Sequence, residues 1–196
     1  MEIIFQNNEI VACVKPVGLE SEHALPRLLE EALGGQIYPL HRLDQNVGGV
    51  MVFARTKAAA ARISRLIQEG QLVKEYVALV HGCPPESGDW EDLLFKDSRK
   101  NKVFVVKKQR AGVKAARLEF TRLTAGEHSL VRIRLHTGRS HQIRVQFASR
   151  GFPLVGDHKY GSRAKEEAPQ LFSCRITLEG HSFEALPDWA DIAEKS

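Results

Sequence analysis

Short apolar runs separated by turn residues dominate this chain, and helical periodicity is confined to a few stretches. Residues 3–5 and 10–14 flank Gln6-Asn7-Asn8-Glu9 and predict a β-hairpin. A short helix is expected over 25–33, stopped by Gly34-Gly35. The run Val50-Met51-Val52-Phe53-Ala54 is apolar at every position, as in a buried strand. Thr56 then stands as the N-cap of a second helix, whose Ala59, Ala60, Ile63, Leu66 and Ile67 share a core face and which ends at Gly70. Strand-like runs follow at 76–80, 103–106, 116–120 and 130–135. In the last, Val131, Ile133 and Leu135 alternate with Arg132 and Arg134, which places the apolar set inward. Ser140 is a candidate cap for a helix reaching Gly151, and 83–89 and 162–169 are the expected flexible stretches. Strands mixed with a few helices, rather than alternating βαβ units, predict an α+β protein with a largely antiparallel sheet.

At 196 residues and 43% hydrophobic content the chain can bury a sizeable core, as one domain or two closely packed lobes. No apolar run approaches the roughly 18 residues of a membrane span. The N-terminus also lacks the charged and apolar regions of a signal peptide, so a cytoplasmic location without a membrane partner is expected. Cys13, Cys83 and Cys174 are far apart and share no C-x-x-C spacing, which favours reduced, structural thiols. The net charge is +4, and its distribution says more than its size. No acid lies between Asp97 and Glu119, where Arg99, Lys100, Lys102, Lys107, Lys108, Arg110, Lys114 and Arg117 supply eight positive charges. Such a run describes a solvated face by itself. Arg132, Arg134, Arg139, Arg144 and Arg150 continue it and make a polyanion the natural partner.

The string His41-Arg42-Leu43-Asp44-Gln45-Asn46-Val47-Gly48-Gly49 puts one carboxylate beside an arginine, on a glycine-bearing loop that feeds the apolar strand. Loops carried on rigid strands are where catalytic groups tend to sit. The other reading of the same residues is an Asx turn at Asp44, with Gly48-Gly49 supplying permissive dihedrals. Tyr76, with Ala78 and Val80 on its face, reads as core packing in its own context. His136, His141, Asp157 and His158 invite a metal reading, but no H-x-x-x-H pair or cysteine partner accompanies them, and no metal is expected. His41 and His141 are expected as structural groups or phosphate contacts.

Three further strings share the chain with the HRLD loop in a fixed order: Val14-Lys15-Pro16-Val17-Gly18-Leu19, Lys74-Glu75-Tyr76-Val77-Ala78 and Thr137-Gly138-Arg139-Ser140-His141-Gln142-Ile143-Arg144. With Gly112-Val113-Lys114-Ala115-Ala116-Arg117-Leu118-Glu119-Phe120 and Gly151-Phe152-Pro153-Leu154-Val155-Gly156-Asp157, the sequence closely resembles the RluA-type pseudouridine synthases over nearly its whole length.

That resemblance implies the pseudouridine synthase fold, a mixed, largely antiparallel sheet across two lobes with a central cleft and flanking helices. It implies one catalytic domain over 1–196, without the extra RNA-binding domain that many relatives carry at the N-terminus. The implied activity is isomerisation of uridine to pseudouridine in tRNA or rRNA, by a monomer that needs no cofactor. Asp44 matches the family's catalytic aspartate, as nucleophile or base. Arg144 aligns with the arginine that pairs with it, although its own context equally describes a surface arginine on a helix. Tyr76 becomes the ring that stacks on the target uracil, and Arg42 the candidate to fill the position the base vacates. Arg139, His41, His141, Lys107, Lys108 and Arg110 are the implied RNA contacts. A non-catalytic RNA-binding module of the same fold is the alternative. The chain departs from the family pattern at Val47-Gly48, where Thr-Ser is usual, at Gln146, where many members carry histidine, and at Phe172-Ser173-Cys174, in place of a Leu-His-Ala string.

Overall fold

The computed structural model describes residues 1–193. The elements follow in the order β1 (Glu2–Gln6), β2 (Ile10–Lys15), α1 (Ala24–Leu33), β3 (Tyr38–Pro39), β4 (Gly48–Ala54), α2 (Lys57–Gln68), β5 (Val73–His81), β6 (Ser87–Asp97), β7 (Lys102–Val106), β8 (Val113–Arg122), β9 (His128–Leu135), α3 (Gln142–Ala148), β10 (Leu171–Leu178), β11 (His181–Glu184) and α4 (Asp188–Ala193). A 3-10 turn at His158–Tyr160 lies between α3 and β10. Strands outnumber helices, which makes this the expected α+β fold. The chain divides into two compact units, one of Met1–Lys74 with Phe172–Pro187, the other of Glu75–Leu171 with α4.

In the first unit the hairpin forms where the pattern places it. The Asn7 side chain closes the turn by accepting the Glu9 and Ile10 amides, both at 2.8 Å. β2 pairs antiparallel with β1 and with β4, while β10 joins β4 in parallel at Gly48–Phe172 and Gly49–Ser173. β3 and β11 add antiparallel pairings to β4 and β10. Every residue of β4 is buried, so its unbroken apolar run serves both faces of the sheet. The Thr56 hydroxyl caps α2 by accepting the Ala59 amide at 3.1 Å. Ala59 and Ile63 then pack among Ile10, Val50, Val52, Ile176 and Phe183. At α1 the capping group comes from outside the helix, because the Glu20 carboxylate accepts the amides of Glu22, His23 and Ala24. Cys13 is buried, which pushes its thiol up to about 12.

In the second unit β9, β8, β6 and β7 pair antiparallel in that order. Strand β9 keeps the expected alternation, with Val131 and Ile133 buried and Arg132 and Arg134 exposed. The stretch expected to be flexible at 83–89 is shorter than that, because Ser87 already begins β6. Exposed Ser87, Asp89 and Glu91 alternate there with half-buried Gly88, Trp90 and Asp92, so the polar residues are one face of a strand. Trp90, Phe120 and Phe147 form an aromatic cluster with ring centroids 4.4 to 5.2 Å apart. Beside it Leu94, Val103, Ala116 and Val145 make a second apolar group.

The helix expected from Ser140 to Gly151 is Gln142–Ala148, entered through His141 at φ 50° with no side-chain cap. Gln142 takes over the closing of that loop. Its carbonyl accepts the Thr137 hydroxyl (2.8 Å) and the Arg139 amide (3.1 Å), and its NH₂ donates to the Arg117 carbonyl (3.0 Å). Gln142 through Phe147 are all buried, so α3 is an internal helix. The irregular stretch before β10 is pinned at Ser162, whose buried hydroxyl accepts the amides of Gly156 and Ala164 and lies 2.8 Å from His81 Nε2.

Candidate active site

The loop that carries Asp44 is held by hydrogen bonds at Leu43, Asp44, Gln45 and Val47. Ser21 exchanges two hydrogen bonds with the Leu43 main chain, at 2.9 and 3.3 Å. The Val47 amide donates to the Asp44 carbonyl at 3.0 Å and closes the turn through the main chain. Gln45 is held from both ends: its carbonyl accepts the Gly18 amide at 2.9 Å, and its side chain donates to the Gly18 carbonyl at 2.9 Å.

Beneath the loop lies Lys15, fully removed from solvent. Its ammonium donates to the carbonyls of Leu19 (2.7 Å), Pro16 (2.9 Å) and Gln45 (3.1 Å), which uses all three protons. Burial lowers its pKa to about 8, against the charges of Asp44 and Glu20, which favour the ammonium. The sequence reading placed Lys15 in a motif and gave it no function. A lysine inside an apolar run was the available signal.

Gly49 sits at φ +126°, and a Cβ there would come within 2.4 Å of the Ser173 amide, so only glycine fits. At Gly48 a Cβ would meet the Lys15 carbonyl and the Phe172 ring, each at 3.3 Å. Two departures from the family pattern, Gly48 and Phe172, are therefore partners in one register: the ring fills space that a side chain on the loop would need.

The flanking residues of this loop differ in role. The Val52 amide donates to His41 Nε2 at 3.1 Å, which requires a neutral imidazole with its proton on Nδ1. Burial, reinforced by the Lys74 charge, depresses the His41 pKa to about 3. The hydrogen bond supplies the structural role weighed for this residue. Arg42 is exposed and pairs with Glu22 at 3.0 Å, an exchangeable surface contact.

The second unit holds Tyr76, Arg139, His141 and Arg144. Tyr76 lies in β5 at 5% exposure, beside buried Val77 and Ala78. Arg144 is buried, and its Nε and one Nη donate to the two oxygens of buried Asp157 at 2.7 and 2.8 Å. Its guanidinium carbon lies 5.1 Å from the centre of the Tyr160 ring. The Tyr160 hydroxyl accepts the Val103 amide at 2.9 Å and sits 2.9 Å from His141 Nδ1. Arg144 is thus an internal residue in a shaped seat, not a surface arginine. Asp157 and Tyr160 were missed as its supports, because their pairing follows a turn and no periodicity. Gln146, in the family's histidine position, donates to Asp92 at 2.8 Å and to the Trp90 carbonyl at 3.2 Å. Lys107, Lys108 and Arg110 are exposed between β7 and β8, Arg110 over the Phe95 ring at 4.6 Å.

Residues 9–149 match the RNA pseudouridylate synthase family. A Chloroflexus aurantiacus protein described as an uncharacterized RNA pseudouridine synthase is 38% identical over 152 residues, 76% of this chain and 47% of that protein. The ribosomal large subunit pseudouridine synthase D of Yersinia pestis is 28% identical over 201 residues, 95% of this chain and 60% of its own length. The chain therefore spans about half to three fifths of the length of these relatives. Among solved structures, human RNA Pseudouridylate Synthase Domain Containing 1 superposes with a TM-score of 0.82 at 23% identity, covering 95% of this chain and 83% of that one. The match over 9–149 takes in the HRLD loop, the Lys-Glu-Tyr strand and the segment through Arg144, and on it the chain belongs to the RNA pseudouridylate synthase family.

Proposed function

We propose that this chain isomerises uridine to pseudouridine in tRNA or rRNA, with Asp44 as the group that attacks or deprotonates. The observation that carries the reading is the mounting of Asp44. Ser21, Gly18 and the Lys15 ammonium hold the main chain on either side of Asp44, which fixes the point from which its carboxylate projects. Positioning of this kind turns an ordinary carboxylate into an effective catalytic group.

In the reaction the N1–C1′ bond of uridine breaks, the base turns and a C1′–C5 bond forms. C5 gives up its proton and N1 gains one, so the step is redox-neutral and needs no donor. The uridine must first leave its stack, at a cost of a few kcal/mol. Stacking on Tyr76 offsets about 1–3 kcal/mol of that. Arg144, oriented by Asp157 and Tyr160, is the cation that the family pattern assigns to this chemistry. Arg42 exchanges Glu22 for the gap left in the RNA. Family membership over 9–149 supports the reading.

The test is tritium release from RNA labelled at C5 of uridine, with wild type and Asp44→Asn. The near-isosteric variant should bind RNA and melt like wild type while losing several orders of magnitude in rate. Turnover within about tenfold of wild type would remove Asp44 from the chemistry.

A further inference from the structure

The cations of the basic stripe separate into two groups by what surrounds them. Arg117 is taken up by Asp89 at 2.8 Å, Glu119 at 3.2 Å and Glu91 at 3.6 Å. Arg150 is paired with Asp92 at 2.8 Å and lies over the Trp90 ring at 4.3 Å. Lys102 lies over the rings of Phe104 and Tyr160. These charges are spent within the fold.

Lys96, Lys114 and Arg139 are different. They line one cavity of about 160 Å³ in the second unit, with Ser140 and the glycines Gly112 and Gly138. Among the described residues no carboxylate lies within ion-pair distance of any of the three. Arg139 Nε donates to the Ala115 carbonyl at 2.9 Å, which fixes the guanidinium beside the strand that carries Lys114. Three uncompensated cations around a small concavity repel one another, and an anion between them relieves that repulsion. The two glycines keep side chains off the wall, and the Ser140 hydroxyl adds a neutral donor. Leu94 and Val103 give the cavity an apolar side, where charge-assisted hydrogen bonds are stronger than in water. Val103 is also the residue whose amide holds Tyr160 under Arg144, so this wall is joined to the seat of a proposed catalytic side chain.

We infer that this cavity is a phosphate subsite that takes one backbone phosphate of the RNA, an inference that rests on the reading of the chain as an RNA-acting enzyme. Phosphate contacts fix the register of a nucleic acid without reading its sequence. A phosphate seated here sets which nucleotide of a strand is presented.

The experiment uses the intact chain and a fluorescent single-stranded oligoribonucleotide, with affinity measured by anisotropy across a salt series. Lys96→Met and Lys114→Met should each weaken binding severalfold and reduce the magnitude of the log–log salt slope by about 0.7, the share of one phosphate contact. Lys165→Met, outside the cavity, should leave the slope unchanged. Neutral methylphosphonates placed at successive positions should identify one phosphate whose neutralisation weakens wild type and weakens Lys114→Met markedly less. Unchanged slopes, or equal sensitivity at every position, would overturn the subsite. So would inorganic phosphate that shifts the Gly112 and Gly138 amide resonances and is not displaced by RNA, since the cavity would then serve a free anion. Tritium release by wild type is read alongside. Release without a phosphate-position effect defeats the subsite alone, and a position effect without release defeats the isomerase reading alone.

Discussion

Arg144 and Asp157 grip one another through two parallel hydrogen bonds, 2.7 and 2.8 Å long, with both side chains almost entirely out of water. The fork of the guanidinium matches the carboxylate, so the pair fixes direction as well as charge. Arg144 is aimed by a residue thirteen positions along the chain, beyond the end of its own helix.

Asp157→Asn should therefore cost about 3–5 kcal/mol, the penalty for removing the charge of one partner from a buried pair. Urea denaturation measures it. A loss below about 1 kcal/mol would reduce the pair to the worth of a surface contact.

Lys15→Met should damage the Asp44 loop more than its apolar volume suggests. Three carbonyls lose their donor, each at about 1–3 kcal/mol if left unsatisfied. Tritium release measured well below the melting transition should fall mainly through kcat, because the loop that positions Asp44 is loosened. An unchanged kcat in a destabilised variant would restrict Lys15 to holding the fold.

His41 gives a pH signature. Its pKa is about 3 in the folded chain and near 6.5 in the unfolded one, so between those values the unfolded state binds the extra proton. The stability it contributes is complete above pH 6.5 and is lost as pH falls toward 3. His41→Gln keeps an acceptor for the Val52 amide without titrating. The difference in unfolding free energy between variant and wild type should be flat above pH 6.5 and turn in the variant's favour below it. Parallel curves down to pH 4 would show that His41 titrates freely.

Tyr76→Phe should retain RNA affinity, since the stacking face survives, whereas Tyr76→Ala should abolish turnover and lose about 1–3 kcal/mol of binding. Melting curves of both variants separate this from packing, because the residue is 5% exposed in β5. Full turnover in the alanine variant would return Tyr76 to the core.

What the sequence made legible follows from physics that acts locally. The alternation in β9, the capped amphipathic α2 and the Asn7 hairpin each depend on neighbours in the chain, and each appears where the pattern puts it. Strand β6 was hidden because its outer face is acidic, and that choice makes sense only opposite Arg117 of β8. The α3 boundary moved because Gln142, and not Ser140, closes the loop, a choice decided by the Arg117 carbonyl well back in the chain. The motifs named the Asp44 loop and Arg144, while Lys15, which holds the loop, and Asp157 and Tyr160, which seat Arg144, act across distances no periodicity encodes.

The close approach at Gly49 also sets an order of events. The backbone it rests against belongs to Ser173, which follows it in the sequence by most of the second unit. Ribosomes add about 5–20 residues per second and release the N-terminal part first. Asp44 is thus exposed for several seconds on a loop whose floor has not yet been translated. During that interval the emerging polypeptide has Asp44 but not the strand its loop is seated against, so the loop takes its final geometry only once β10 has docked on β4.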